Sequence, residues 1–330
     1  MFGPMLASAL GALALAAAPD PTAAQERAPS WHLELALPVA VIGGHTTYRI
    51  EDSDAYGSVA SELEFPLDGV LSGVQAQLAN GSEPGKGRVV FRVSGLLSLT
   101  DAKGTVKDSD WITGVYETYD PDTGTYRAPH DGKDIYSTSR GVLETRVIDA
   151  RAEWELDTRV PGLVVAPMVG VLYQRFHFDV YDANQVGYGS WAPDATVFVP
   201  GKVLDYGVTY WARYVGVRAA LGRGGLGATA DLWFSPWASA DDRDDHLARA
   251  KLSTSSASGT AWQASVGARL AFGAWDALQV QASLLRLDTS GTQHQSFYAG
   301  PYAGQSGSIP SKLTSSRTTF LVLFVHRLGS

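Results

Sequence analysis

The sequence of 330 residues contains no cysteine, which excludes disulfides and thiolate metal sites. It contains no run of Lys and Arg, and its formal net charge of −8 at pH 7 argues against a nucleic-acid partner. Beyond the N-terminal region it has no apolar stretch of about 18 residues, so no transmembrane helix is predicted. The hydrophobic residues, 45% of the total, are instead dispersed along the chain.

One apolar stretch, at about residues 5–18, lies near the N-terminus and is followed by small residues. This arrangement is typical of a secretory signal, and we expect cleavage near Ala24, which makes residues 1–24 a signal peptide. A membrane anchor is the alternative, but the stretch is too short to span a bilayer comfortably. Residues 25–330 are then predicted to form a single domain.

Apolar and polar residues alternate along much of this domain. In residues 262–272, for example, every second residue from Trp262 to Phe272 is apolar, and most of the residues between them are polar or small. A period of two with one apolar face predicts half-exposed strands rather than helices. We count ten such strands, at about 31–45, 60–79, 86–101, 138–157, 162–182, 203–222, 226–239, 255–273, 276–290 and 314–328.

The connections between these strands alternate in length. Four are short and rich in Gly, Pro and Asp, and the others are long and polar, at about 46–59, 102–137, 183–202, 240–254 and 291–313. This pattern predicts an all-β fold, a ten-stranded antiparallel transmembrane β-barrel with short periplasmic turns and long extracellular loops. A soluble β-sandwich shows similar alternation, but several predicted strands are longer than a sandwich needs. Aromatic residues near strand ends suit the interfacial girdles of such a barrel: Tyr210, Trp211, Trp233, Trp237 and Trp262.

Two acidic segments fall in the predicted long connections. "KDSDW" places Asp108 and Asp110 two residues apart, and "DDRDDH" places Asp242, Asp244 and His246 at the same spacing. Side chains two residues apart on an extended chain point to one face. The segments follow the third and the seventh predicted strand, so on a ten-strand ring they nearly face each other across the mouth. Taken alone, such a segment is usually a solvated charge cluster.

The chain resembles the omptins, a family of outer-membrane endopeptidases with a ten-stranded barrel. The resemblance is carried by an Asp-x-Asp-Trp segment, here residues 108–111, and an Asp-x-Asp-acid-His segment, here residues 242–246, in matching loops. Weaker similarity runs along the chain, as in "SELEFPL" and "DYGVTYWARYVGV". The resemblance therefore implies a barrel fold and peptide-bond hydrolysis.

The resemblance also implies a role for each catalytic residue. His246 would act as the general base that takes a proton from water, and Asp244 would orient its ring. Asp108 and Asp110 would hold the water and the developing tetrahedral centre. A proton shared by that pair would allow it to donate a hydrogen bond to an oxyanion.

Omptins cleave beside basic residues, which acidic groups in the pocket hold. Asp242 matches one of these acids, and a carboxylate pairs well with Arg. The family's second acid has no clear match, because Tyr48 stands at its position, with Glu51 nearby. We predict substrate-binding roles for Asp242, Tyr48 and Glu51. The expected partners are peptides or proteins with basic residues, and lipopolysaccharide, which could be required for activity; no cofactor and no metal are predicted.

Two alternatives remain open. Three carboxylates and a His suit zinc or manganese, and a chelator separates a metal site from a metal-free dyad. A non-catalytic barrel, acting as an adhesin or as a structural outer-membrane protein, is the other alternative. A diffusion porin is disfavoured because ten strands enclose a lumen mostly filled by side chains. For the peptidase we expect a location in the outer membrane, with the active site facing the extracellular side.

Overall fold

The computed structural model of the protein describes residues 31–54, 57–80, 87–114, 119–120, 125–126, 133–187 and 196–328. The predicted signal peptide, residues 1–24, lies outside them. Most of the described residues are in β-strands, and a single 3-10 turn, Leu247–Arg249, stands among them. Within these ranges the structure contains no helix that is long and apolar enough to cross a membrane.

Antiparallel strands close into a ring. The strands are β1 (His32–Asp54), β2 (Gly57–Pro66), β3 (Gly69–Ala79), β4 (Arg88–Ser98), β5 (Ala102–Gly114), β6 (Tyr119–Asp120), β7 (Thr125–Tyr126), β8 (Ile135–Asp157), β9 (Leu163–Gly187), β10 (Thr196–Arg223), β11 (Leu226–His246), β12 (Lys251–Phe272), β13 (Asp276–Phe297) and β14 (Ser306–Leu328). Each strand from β8 to β14 pairs with the next one along the chain, and β14 pairs with β1 over its length. This last pairing closes the barrel, while β6 and β7 form a separate small sheet.

At two places in the ring, two shorter strands that follow each other along the chain take the place of one long strand. Between β1 and β8, the ring is completed by β3 and β4 at one end and by β2 and β5 at the other. Each of these pairs, β2 with β3 and β4 with β5, is one long strand with a short interruption. The ring therefore has ten strand positions, which confirms the predicted number and antiparallel arrangement. The interruptions themselves were not predicted.

The strands extend further than predicted at the end of the barrel that carries the acidic segments. β1 continues to Asp54 and β11 continues to His246, so the predicted long loops at 46–59 and 240–254 are largely strand. The sequence hides the extension of β11 because its inward positions, Asp242 and Asp244, hold carboxylates instead of apolar residues, which removes the alternation in hydropathy. We call this end the mouth; it comprises residues 46–54, 57–66, 102–114, 135–145, 177–187, 196–208, 239–259 and 288–316.

An outward-facing apolar belt surrounds the barrel beyond the mouth, on the part of the barrel that carries the short turns. Large apolar side chains are exposed there, among them Leu37, Val41, Val74, Leu97, Val169, Val215, Leu232, Val266, Phe320 and Phe324. An outward apolar band of this kind is the lipid-facing surface of a transmembrane barrel. Trp211, Trp237 and Trp262 are exposed at the edge of the belt next to the mouth, in agreement with the predicted girdle.

Two of the predicted girdle residues face the interior instead. Tyr210 is adjacent to Trp211 and so points to the opposite face, where its hydroxyl lies 2.8 Å from Thr46 Oγ1. Trp233 is buried and stacks on Tyr214, with ring centroids 4.4 Å apart. A β-bulge between Ser235 and Ala238 shifts the alternation, so Trp233 and Trp237 lie on opposite faces although they are four residues apart. The assignment of Tyr210 and Trp233 to the girdle was therefore wrong.

Buried ion pairs occupy the interior at the level of the belt. Glu153 Oε1 lies 2.7 Å from Arg151 Nε, 3.4 Å from Arg92 Nη1 and 3.8 Å from Arg218 Nη1. Asp231 lies 3.8 Å from both Arg151 and Arg218. These five side chains project inward from β4, β8, β10 and β11, so they bring opposite charges together across the lumen. We call these five residues the belt cluster.

Candidate active site

Two inward-facing residues at the end of β11 form the centre of the site. Asp244 and His246 are two residues apart on one strand, so their side chains leave the same face. Nε2 of His246 lies 3.1 Å from Oδ2 of Asp244, which is hydrogen-bonding distance, although the two groups are not aligned for a linear bond. Asp244 is fully buried and His246 is mostly buried, with 14% of its side chain exposed. The imidazole thus stands against a carboxylate that solvent does not reach.

The second pair of carboxylates, Asp108 and Asp110, faces this dyad from β5. Asp108 Oδ1 is shielded from solvent and has no hydrogen-bond partner among the described residues. Burial and the charge of Asp110 raise the pKa of Asp108 to about 7, against the opposing charges of His246 and Arg249. Because the charges of β11 act on Asp108, the structure brings the two acidic segments together across the mouth. Both segments lie on strands, whereas the sequence placed them in loops.

Asp242 lies one inward position below Asp244. It is 7% exposed, and its Oδ1 accepts a hydrogen bond of 2.7 Å from the backbone N–H of Ser255. Its other oxygen, Oδ2, is buried without a hydrogen-bond partner in the described part of the chain. Burial raises the pKa of Asp242 to about 7; the hydrogen bonds from Ser255 act in the opposite direction, and the charge of Asp244 adds to the increase. Asp242 therefore offers one unused oxygen to a cationic or hydrogen-bonding ligand.

Tyr48 shares this pocket, and Glu51 does not. Tyr48 is inward and 2% exposed, and the charges of Asp244 and Asp242 act on its hydroxyl. Burial raises the pKa of Tyr48 above its ordinary range, so the hydroxyl stays neutral. Glu51 is an odd number of residues away and points to the outer face, where it pairs with Arg49 and remains 63% exposed. The structure thus brings Tyr48 to the candidate site but places Glu51, expected to bind substrate, on the opposite side of the sheet.

Sequence reasoning missed one charged residue of the site, Lys251. It is the first residue of β12, is 9% exposed, and pairs across the sheet with His246. Burial lowers the pKa of Lys251, the charge of Arg249 adds to the decrease, and the charges of Asp244, Asp108 and Asp110 oppose it. Its ammonium group therefore lies near both carboxylate pairs. A signal was available, because Lys251 continues the two-residue spacing of Ser253 and Ser255, but it requires knowing that β12 begins there.

A group with the spacing of a metal site lies elsewhere in the described residues. His177, Asp179 and Asp205 bring one potential ligand atom each within 4.8 Å of the others, on the outer face of β9 and β10. Lys202 Nζ already lies 2.6 Å from Asp179 Oδ1 and 2.7 Å from Asp205 Oδ2. The lysine ammonium therefore supplies the positive charge that these carboxylates need.

Comparison with known proteins bears on the fold. No family model and no curated protein matches the chain. Among solved structures, the outer membrane protease OmpT from Escherichia coli matches with a TM-score of 0.71, covering 90% of this chain and 97% of that chain at 14% sequence identity. This chain has the fold of OmpT. The match confirms the omptin-like barrel that the sequence motifs predicted.

Other barrels match with much lower scores. The toluene transporter TodX from Pseudomonas putida gives a TM-score of 0.26 at 10% identity, covering 89% of each chain. The transport unit of the autotransporter AIDA-I from Escherichia coli gives 0.32 at 8% identity, covering 89% of this chain and 90% of that chain. These scores are too low to indicate a common architecture.

Proposed function

We propose that the protein is an endopeptidase of the outer membrane that hydrolyses peptide bonds beside basic residues. The observation that carries the proposal is the 3.1 Å approach of His246 Nε2 to buried Asp244, in a cleft that also contains Asp108. The fold shared with a protease supports this class of activity.

In the proposed reaction His246 activates water. Its Nε2 is next to Asp244, so Nδ1 is the nitrogen that is available to take the proton. Asp244 holds the ring and stabilises the imidazolium that forms. The pKa of Asp108 near 7 lets the Asp108–Asp110 pair keep a shared proton around neutral pH, and this proton donates a hydrogen bond to the carbonyl oxygen as it becomes negative. Because water is the nucleophile, no covalent intermediate forms on the protein.

Asp242 is proposed to hold a basic side chain of the substrate. Its unused Oδ2 can accept hydrogen bonds from a guanidinium or an ammonium group, and binding such a cation favours the ionised carboxylate. Tyr48 replaces a second acid with a neutral hydroxyl, so the pocket carries less negative charge than two carboxylates would give. We therefore expect a preference for basic residues that is weaker than in a pocket with two acids.

The location and the lipid partner are part of the same proposal. The exposed apolar belt and the tryptophan side chains at its edge support insertion into a bilayer, with the mouth beyond the belt. We propose that the mouth faces the extracellular side, where the catalytic residues meet substrate. Lipopolysaccharide is proposed as the lipid that contacts the outer surface of the barrel, and a requirement for it is tested by omission from the assay.

A non-catalytic barrel is the second candidate, as an adhesin or a structural protein. The observation that favours it is Tyr48, which stands where the family resemblance implies a pocket acid. The charged side chains buried inside the barrel at belt level argue against a third possibility, an open diffusion channel.

The proposal is tested with refolded barrel, lipopolysaccharide and a quenched peptide that contains Arg-Arg. Wild type, His246→Ala and Asp108→Asn are compared, each with and without a chelator. We expect both variants to lose cleavage and the chelator to have no effect. Loss of wild-type cleavage on chelation would indicate that the same residues bind a metal ion. A wild type that is inactive on this peptide and on a broad peptide library would favour the non-catalytic barrel.

A further inference from the structure

Lys251 has no role in the mechanism above, although it lies inside the site. It is the cross-strand partner of His246. Residues paired directly in antiparallel strands share a face and have Cβ atoms about 4.5–5.5 Å apart. Lys251 is 9% exposed, and the residues at the next two inward positions of β12, Ser253 and Ser255, are 0% and 4% exposed. Its side chain is therefore on the inner side of the barrel, beside the imidazole.

The ammonium group of Lys251 stands among carboxylates without pairing directly to one. Asp244, Asp108 and Asp110 act on it electrostatically, as does the cation Arg249, so it lies near both the dyad of β11 and the pair of β5. Among the described residues it forms no ion pair shorter than 4.0 Å. Lys251 is a mostly buried residue whose pKa is lowered by burial, and ionisable groups perturbed in this way are concentrated at functional sites.

Lys251 follows a turn whose backbone is strained and held by a hydrogen bond. Ala250 has φ 49° and ψ 41°, in the left-handed region that residues with a side chain rarely adopt. The carbonyl of Ala250 accepts a hydrogen bond of 2.9 Å from the backbone N–H of Tyr298, which ties the turn to the residue after β13. Backbone strain of this kind persists where the surrounding structure imposes it, and it is concentrated at functional sites. The chain thus leaves the turn with Lys251 pointing inward.

We propose that Lys251 is a catalytic residue whose ammonium group donates a hydrogen bond to the oxyanion formed when water attacks the scissile carbonyl. The inference rests on the proposed peptidase function. The ammonium group and the shared proton of the Asp108–Asp110 pair then act as two donors to one oxygen, the arrangement that stabilises tetrahedral intermediates in other acyl-transfer sites.

The step balances with the groups present. The water oxygen forms a bond to the carbonyl carbon, the carbonyl π pair moves to oxygen, and the released water proton goes to His246. Lys251 keeps its three protons throughout and donates only a hydrogen bond. When the C–N bond breaks, the oxyanion pair re-forms the carbonyl, and His246 gives its proton to the leaving amine.

The test compares Lys251→Met and Lys251→Arg with wild type on the Arg-Arg peptide, as separate kcat and KM values. Lys312→Met is the matched control, because Lys312 also lies at the mouth but is 49% exposed and pairs with Asp288 at 3.2 Å. We expect Lys251→Met to lower kcat about 100-fold or more with little change in KM. Lys251→Arg keeps the charge and the donors and should retain clearly more activity than Lys251→Met. The control should match wild type.

Folding is checked for each variant by the mobility difference between heated and unheated barrel in gel electrophoresis. A folded Lys251→Met variant with kcat within threefold of wild type, measured while His246→Ala is inactive, overturns this inference alone. Equal losses in the Met and Arg variants also overturn it, because keeping the positive charge and the N–H donors would then restore no activity. A wild type that cleaves no peptide overturns the peptidase proposal, and this inference with it.

Discussion

The interior of the barrel carries buried charges in two regions, and they are arranged in opposite ways. In the belt cluster each carboxylate is surrounded by guanidinium groups: Glu153 has three arginines within 3.8 Å and Asp231 has two. At the mouth four carboxylates, those of Asp108, Asp110, Asp242 and Asp244, lie near one imidazole, the Lys251 ammonium and the exposed Arg249 guanidinium. In the belt cluster cations thus surround each carboxylate, whereas at the mouth the carboxylates outnumber the cations.

The difference indicates which region the fold needs and which region it tolerates. A buried charge with compensating partners holds strands together, and removing one partner leaves the others uncompensated. A group of like charges in a buried cleft is unfavourable for folding, and it persists where function requires it. Both non-glycine residues with positive φ in the described ranges, Asp182 and Ala250, also lie at the mouth. Strain and charge repulsion are therefore concentrated at the same end of the barrel.

The largest stability effect is expected in the belt cluster. Glu153→Gln removes the charge that three arginines share, and it should lower the free energy of unfolding by about 3–5 kcal/mol. Urea unfolding of the refolded barrel measures this change. The cleavage rate per folded molecule should stay at the wild-type value, since Glu153 lies below the mouth. A variant as stable as wild type would show that the ion pairs are not what holds this region together.

A smaller effect of the opposite sign is expected at the mouth from Asp242→Asn. The pKa of Asp242 is raised in the folded protein to about 7, so between pH 4 and pH 7 the folded state binds more protons than the unfolded state. Stability due to this group is therefore fully present below pH 3.8 and is lost as the pH rises from there through about 7. Asn keeps an oxygen for the Ser255 N–H and removes the charge.

Asp242→Asn should consequently stabilise the barrel at pH 8, on the order of 2–4 kcal/mol, and have little effect at pH 4. The same variant should raise KM for the Arg-Arg peptide, because Asp242 is proposed to hold the basic side chain. Urea unfolding at the two pH values checks the first expectation. Destabilisation at pH 8 would mean that a further cation already compensates the charge of Asp242.

The smallest effect is expected at the turn between β11 and β12. Ala250→Gly removes the side chain from a left-handed position and should stabilise the barrel by about 0.5–1 kcal/mol, measured by urea unfolding. As a control, Ala257→Gly makes the same change within β12, in extended backbone, and should destabilise. If both variants lose stability, Ala250 carries no strain that glycine relieves.

The sequence was informative wherever inward positions are apolar. Alternation gave the ten strands, their order and the short turns, because a period of two directly reports one buried face. It failed at the mouth, where Asp242 and Asp244 occupy inward positions and the chain looks like a loop. Two interruptions, at residues 67–68 and 99–101, also left no mark in hydropathy.

The residues of the candidate active site could be predicted from the sequence about as well as the fold. The two-residue spacing identified Asp108, Asp110, Asp244 and His246 as sets that share a face, and the strand count placed the sets opposite each other. The same reasoning excludes Glu51 from a pocket with Tyr48, because residues three apart on a strand face opposite sides. Lys251 could not be found this way, since a single lysine after a turn has no pattern until the start of its strand is known.

We propose that the charged groups at the mouth perform hydrolysis while the belt cluster supports the fold. Asp244→Asn and Glu153→Gln, measured side by side, test it most directly: each exchanges one buried carboxylate for its amide, and cleavage of the Arg-Arg peptide is normalised to folded barrel. We predict that Asp244→Asn lowers kcat at least 100-fold without loss of stability, and that Glu153→Gln is destabilised but cleaves at the wild-type rate. Cleavage by Asp244→Asn at the wild-type rate would show that Asp244 takes no part in hydrolysis.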